Sequence, residues 1–346
     1  MTKLTDLCDI QYGYAFDSSA FTDDDSYPQL VRIRDVKRGY SETFYNGDYP
    51  EEYVLSAGDL LVGMDGEFNI ARWKVDGALL NQRVCKIVAK DNADEEFLRF
   101  ALSKALKAIE DRTSFATVKH LSAKELNKLE IPVPSYDEQK KISEILHRLE
   151  GIIEGRQKEL DSLDELIKAR FVELFSEESN MMKMSDICSI ITDGTHQPPK
   201  FVGEGIPFIF VSNVVNNKLT YDAEKFITQE TYDELIKRTP IEIGDVLLST
   251  VGSYGHPAVV KSDKKFLFQR HIAYLKPKKE IIDSNYLHGA LLSPDAQRQI
   301  EEGVKGIAQK TLNLSEIKKM VIPVPDLSKQ KQFADFIEQV DKSKVA

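Results

Sequence analysis

Apolar and polar positions along this chain follow two patterns, and each occurs twice. Short apolar, β-branched runs bounded by polar turns appear at Leu30–Val36, Leu60–Val62 and Leu79–Val88. They return at Phe208–Val214, Val246–Leu248 and Phe266–Leu275. Such runs predict strands, and Gly58-Asp59 and Gly244-Asp245 read as turns leading into two of them. Phe97–Ile109 and Tyr286–Ile300 carry helical spacing, with Pro294 suited to a first helical turn. After Pro134 the texture changes. Asp137–Phe175 holds no proline, and Ile142, Ile145, Leu149 and Ile152 follow 3-4-3 spacing. Leu160, Leu163, Ile167 and Leu174 continue the stripe in a shifted register. At ~1.5 Å per residue this is a rod of about 58 Å, and a narrow stripe on a polar helix predicts a coiled-coil seam. A shorter helix of the same kind carries Phe333, Phe336, Ile337 and Val340.

The two patterns belong to one long repeat. "LCDI" at Leu7 returns as "ICSI" at Ile187, an offset of 180. "LVRIRDV" returns as "FIFVSNV" at 178, "AGDLLVGMDGEFN" as "IGDVLLSTVGSYG" at 186, and "NQRVCKIV" as "FQRHIAYL" at 187. "FLRFAL" returns as "YLHGAL" at 189, and "EIPVPSYDEQKKI" as "VIPVPDLSKQKQF" at 191. The order never breaks, and small loop insertions account for the drift. The expected fold class is mixed α/β (α+β): two copies of one domain, 1–134 and 180–325, with a long spacer helix at 135–179 and a short one at 326–346. Pro-x-Pro forces an extended exit from each domain before its helix. The second helix is expected to return antiparallel to the first, which relates the two domains by a pseudo-two-fold axis.

Composition bounds the function. The net charge of −10 argues at first against a nucleic-acid partner. Residues 137–179 alone carry 7 basic and 12 acidic groups, as a solvated helix face does, whereas 180–325 carry 18 and 17. The first domain, 1–136, carries 17 and 23. If the chain binds DNA, it should therefore do so weakly alone, with much of the phosphate neutralisation supplied by something else. Cys8, Cys85 and Cys188 have no zinc or disulfide spacing and read as reduced thiols. No signal peptide and no membrane span is read, so a cytoplasmic protein is expected.

Catalytic motifs do not emerge. The loops Gly63-Met64-Asp65-Gly66 and Gly252-Ser253-Tyr254-Gly255 are too short for a nucleotide fingerprint. "QPPK" at Gln197 lacks the flanking groups of a methyltransferase tetrad. Pro294-Asp295 with Glu316-Ile317-Lys318 has tolerable nuclease spacing, but both pieces lie in helical patterns. No Ser-His-Asp or Cys-His arrangement stands out. No cofactor is expected.

With "DGTHQPPKF" from Asp193, "GDVLLSTVGSYG" from Gly244, "GDLLVGMDGEFNIARW" from Gly58 and the two "IPVP…Q" exits, the chain resembles the DNA-specificity (S) subunit of type I restriction–modification systems over essentially its whole length. The resemblance implies a non-catalytic subunit whose repeated target-recognition domains each read half of a split site in double-stranded DNA. It implies spacer helices that act as a ruler and dock methyltransferase (modification) subunits, with a restriction subunit joining later. In one departure, the second spacer helix is about half the length of the first. The competing reading is a two-domain coiled-coil adaptor without DNA specificity.

Arginine pairs bidentately with guanine, and asparagine or glutamine with adenine. Candidate DNA contacts in the first copy are Tyr14, Arg32, Arg34, Met64, Asp65, Asn69, Arg72, Gln82 and Arg83. In the second they are Thr195, His196, Gln197, Lys200, Asn213, Ser253, Tyr254, Gln269 and Arg270. The shared Gln-Arg pairs, 82–83 and 269–270, also suit a common structural role. Ile142, Ile145, Leu146, Leu149, Ile152 and Ile153 lie beyond the reach of the short second helix. They are the expected partner-binding stripe, for a methyltransferase subunit, a second copy of this chain, or a separate polypeptide.

Overall fold

In the computed structural model, which describes residues 1–112, 120–306 and 310–344, the written repeat is a repeat of strand order. In the first copy Cys8–Tyr12, Val84–Ala89, Leu60–Gly63 and Ile70–Arg72 lie side by side in that order, all antiparallel. In the second, Cys188–Asp193, Ile272–Pro277, Val246–Ser249 and Pro257–Val259 do the same. The chain divides into two compact units, Met1–Gly155 and Arg156–Ala346.

Each central strand is buried on both faces, which is why it reads as an unbroken apolar run. Leu60 and Val62 pack with Leu98, Leu102 and Leu106 of the helix Glu95–Arg112, while Leu61 faces Val31, Trp73 and Leu80. In the second unit Val246 and Leu248 face Leu287 and Ala290, while Leu247 faces Ile209, Phe266 and Phe268. Alternate side chains of one strand thus seal two layers.

Five expected elements are broken where the sequence reads them as continuous. The run Leu79–Val88 is two strands, Ala78–Leu80 and Val84–Ala89, with Asn81-Gln82-Arg83 between them. Phe266–Leu275 splits likewise into Leu267–Phe268 and Ile272–Pro277. Leu30–Val36 is a strand only at Leu30–Val31, pairing parallel with Leu79 and Leu80 before a 3-10 turn at Ile33–Asp35. The Asp35 carboxylate accepts the Arg32 N–H at 3.0 Å and stops the strand. Phe208–Val214 ends the same way, with Asn213 Oδ1 accepting the Phe210 N–H at 2.9 Å. The helix expected over Tyr286–Ile300 is two, Ser284–Leu291 and Pro294–Gly303, because Ser293 caps the second through the Ala296 N–H.

The repeated exit phrase encodes a lock. Gln139 and Gln330, 1% and 0% exposed, are buried polar residues in the first turns of the helices Tyr136–Phe175 and Leu327–Ser343. Gln139 Oε1 accepts the Asp94 N–H at 2.9 Å, and its Nε2 donates to the Pro134 carbonyl at 3.1 Å. Gln330 Oε1 accepts the Asp283 N–H at 2.8 Å, and its Nε2 donates to Pro325 at 2.7 Å and Ile281 at 3.0 Å. Each glutamine holds the N–H of an aspartate that itself caps a domain helix, Asp94 through the Phe97 N–H and Asp283 through the Tyr286 N–H.

Within the second unit, Leu327–Ser343 lies against the end of Tyr136–Phe175. Phe333 meets Phe171 and Phe175 at 5.4 and 5.6 Å, while Lys344 reaches Asp164 at 2.5 Å and its carbonyl accepts from Arg156 at 3.0 Å. Contacts at rising positions in one helix meet falling positions in the other, so the two run antiparallel there. The long helix has 40 residues, about 60 Å at ~1.5 Å each. Among the described residues no helix is long and apolar enough to cross a membrane.

Candidate nucleic-acid interface

Antiparallel order brings three loops to one end of the first sheet. They follow Tyr12, follow Gly63 and precede Val84. Backbone hydrogen bonds stitch them together: Tyr14 N–H to Leu80, Gln82 N–H to Tyr14, and Met64 N–H to Arg83, at 2.8 to 2.9 Å. The second sheet repeats the stitching. Thr195 N–H reaches Phe268, Arg270 N–H reaches Thr195, and Thr250 N–H reaches His271, at 2.9 to 3.1 Å.

These bonds fix a register, and the register corrects the sequence reading. Gln82 stands where Arg270 stands, and Arg83 where His271 stands, an offset of 188. The Gln-Arg pairs that match at 187 are not equivalent, so a structural role shared between them fails. The same stitching explains a conserved pair of small residues in the two copies. A Cβ on Gly13 would sit 2.1 Å from the Asn81 carbonyl oxygen, and one on Gly194 2.2 Å from that of Phe268. Only glycine lets the loops approach that closely.

On this backbone the side chains diverge. In the first copy Tyr14 is 41% exposed and packs on Phe16 and Tyr53, both at 5.2 Å. Asp65 takes Arg83 Nε at 3.3 Å and His120 Nδ1. Gln82 is exposed, and Asn69 half-buried. Arg32 and Arg34 are exposed on the turn whose Ile33 abuts Gly63. In the second copy Asp193 takes Arg238 Nη2 at 2.5 Å and His196 Nε2 at 2.8 Å. Thr195, His196, Gln197, Lys200 and Arg238 line a groove of about 610 Å³. Ser253 is exposed; Tyr254 donates to Glu301 at 2.6 Å. Gln269 is half-buried and bridges to Thr195, while Arg270 is exposed.

Three candidates stand apart from this surface. Met64 is 5% exposed in the core of the first unit. Asn213 is 6% exposed, and its amide is spent on the Phe210 N–H and the Asp222 carbonyl. Arg72 lies at the far end of its strand, opposite Leu60, pinned by Glu95 at 2.8 Å, Glu96 at 2.5 Å and the Gly58 carbonyl. Sequence reasoning in turn missed His120, Arg238 and His271. Burial and the neighbouring Arg270 lower the His271 pKa below its ordinary value, which favours the neutral ring. The three cysteines are buried, and burial pushes each thiol up to about 12, so none supplies a thiolate near neutral pH.

Comparison with known proteins adds a lineage to this geometry. The profile of the family "Type I restriction modification DNA specificity domain" matches residues 1–163 and 176–346. The chain is 31% identical over 371 aligned residues to the type I restriction enzyme EcoBI specificity subunit of Escherichia coli, covering 98% of this chain and 78% of that one. It is 20% identical to the MjaVIII specificity subunit of Methanocaldococcus jannaschii, covering 84% and 74%. In fold it is similar to the type I restriction–modification S subunit from M. genitalium, with a TM-score of 0.51, 16% identity, and 99% and 89% of the two chains covered. The doubled sheet, the doubled glutamine lock and these matches across both copies have one explanation: the chain belongs to the type I restriction–modification DNA-specificity family.

Proposed function

We infer that this chain supplies DNA sequence specificity to a type I restriction–modification system, as its non-catalytic specificity subunit. Double-stranded DNA, modification subunits and a restriction subunit are its partners. One observation carries the reading. Two copies hold the same loops by the same backbone bonds, yet present different side chains: Tyr14 against Thr195, Gln82 against Arg270, Arg83 against His271. A coiled-coil adaptor has no use for that divergence on a shared frame, whereas a reader of two different half-sites requires it. A doubled reader also matches the dyad of duplex DNA. The expected pseudo-two-fold relation and antiparallel spacer are the geometry such reading calls for.

The proposed contact surface comprises Tyr14, Arg32, Arg34, Asp65, Asn69, Gln82 and Arg83 in the first copy. In the second it comprises Thr195, His196, Gln197, Lys200, Ser253, Tyr254, Gln269 and Arg270. Modification subunits are proposed to dock on the long helix. There Ile145, Leu149, Ile152 and Ile153 are 59%, 48%, 67% and 68% exposed, with Ile142 and Leu146 half-buried beside them. Such a stripe is larger than the single apolar residues a surface ordinarily shows. Exchanging residues 1–134 for those of another specificity subunit tests the reading. Methylome sequencing should then show one half-site changed and the other kept. Alteration of both, or of neither, would count against it.

A further inference from the structure

The two copies carry the same trio of residue types at places that do not correspond. In the first, Asp65 follows the strand Leu60–Gly63 and binds Arg83 Nε on one oxygen and His120 Nδ1 on the other. In the second, Asp193 ends the strand Cys188–Asp193 and binds Arg238 on one oxygen and His196 on the other. The backbone register sets Asp65, Arg83 and His120 against Val251, His271 and Thr311. Counting back from Gly13 and Gly194, it sets Asp193 against Tyr12. Neither trio is inherited from the other, and both stand at the loop-bearing end of the sheet.

The two trios share one design. The aspartates are tucked away, 18% and 17% exposed, while the arginines are 51% and 52% exposed. A histidine on the second oxygen keeps each carboxylate from turning. A carboxylate behind an arginine cancels its charge, so such a residue is a poor anchor for phosphate. What it gains is direction. The planar guanidinium is fixed before binding, and less freedom is lost when it meets a planar partner. Arg83 makes its nearest approach to Asp65 through Nε, at 3.3 Å, and its two terminal nitrogens form the fork that matches guanine O6 and N7. Arg238 is held through Nη2, which also lies 3.4 Å from His196 Nε2, leaving Nη1 and Nε, on different edges of the guanidinium, as single donors to a guanine acceptor.

We propose that Arg83 and Arg238 are the guanine readers of the two half-sites, aimed by Asp65–His120 and Asp193–His196. Because the trios occupy non-corresponding places, the two guanines stand at different steps of their half-sites. The proposal rests on the reading of the chain as a specificity subunit.

The test uses the full chain assembled with its modification subunits, selecting bound sequences from a randomised duplex library and sequencing the methylated sites. Arg83→Ala should lower guanine preference at one step of one half-site by about tenfold to a hundredfold and leave the other half-site intact. Arg238→Ala should do the reverse. Asp65→Asn keeps Arg83 and should give a partial loss at the same step. Arg83→Lys, which can still donate to guanine, should retain more preference than alanine. If Arg83→Ala weakens every sequence alike and flattens the salt dependence, Arg83 is a phosphate contact and the proposal is overturned. Unchanged selection overturns it too. If the unaltered complex selects no bipartite sequence at all, the specificity reading itself falls, and this inference with it. Unaltered unfolding of Arg83→Ala, read by Trp73 fluorescence, establishes that a lost preference does not come from a lost fold.

Discussion

Leucine in place of Gln139 keeps the side-chain volume and removes both amide atoms. Two groups are then stranded: the Asp94 N–H, 2.9 Å from Oε1, and the Pro134 carbonyl, 3.1 Å from Nε2. The Asn92 carbonyl at 3.4 Å is a weaker third. Because Gln139 is 1% exposed, water does not reach the gap. Each stranded group costs roughly 1–3 kcal/mol. The new apolar atoms return about 1 kcal/mol of that, leaving a net loss of about 3 kcal/mol at the middle of the range. With an m-value of about 2 kcal/mol per molar urea, the midpoint should fall by about 1.5 M. The chain has one tryptophan, Trp73, 1% exposed in the first unit, so its fluorescence reports on that unit alone. Gln330→Leu strands three groups in the other unit, on Asp283, Ile281 and Pro325. It should shift unfolding followed by circular dichroism while leaving the Trp73 transition in place. The lock argument is refuted if Gln139→Leu leaves the Trp73 midpoint within repeat scatter, or if Gln330→Leu moves it equally.

Gly13→Ala drives a Cβ to 2.1 Å from a backbone oxygen that cannot rotate away, and should cost about 3 kcal/mol by Trp73-monitored unfolding; a neutral outcome would mean that the loop relaxes freely. His288 donates Nε2–H to the Asn217 carbonyl at 2.9 Å, and burial lowers its pKa below the ordinary 6.5. Its neutral form is the folded one, so its contribution is full above about pH 6.5 and is lost as pH falls below it. His288→Gln should flatten the decline in stability of the second unit as pH falls below about 6.5, and an unchanged slope would assign the acid sensitivity elsewhere. Leu149→Lys with Ile152→Lys should reduce co-purification of modification subunits while the Trp73 transition stays within about 0.5 kcal/mol of its original stability. Full assembly at unchanged mass in light scattering would free the stripe of any docking role.

Those elements whose physics is local were open to reading from the sequence. Leu60–Val62 and Val246–Leu248 are apolar at every position because two layers cover them, and an unbroken run is the direct trace of that. The exit phrase was legible as a repeat, although only packing shows why its glutamine recurs: the side chain closes the cap of a helix 45 residues earlier. The breaks were not legible. Asn213 reads as a loop tip able to touch bases, and Asp35 stands at the corresponding place in the first copy. Each instead turns inward to accept a main-chain N–H and end a strand. Residue type alone does not separate an asparagine that caps from one that reads.

The interface was partly legible for a related reason. Arg83 and Asp65 lie 18 positions apart and were both candidates, but His120 lies a further 37 positions on, and Arg238 reaches Asp193 across 45. No periodic signal spans such gaps; strand order alone closes them. Where identity did offer a guide it misled. Gln82-Arg83 and Gln269-Arg270 match letter for letter, yet the hydrogen bonds pair Arg83 with His271. In these loops the backbone is held by N–H and C=O groups that every residue but proline supplies. Side chains there are released from the fold and shaped by what they meet. On the proposed reading, in which the two copies meet different half-sites, agreement at such positions is coincidence and disagreement is the trace of function.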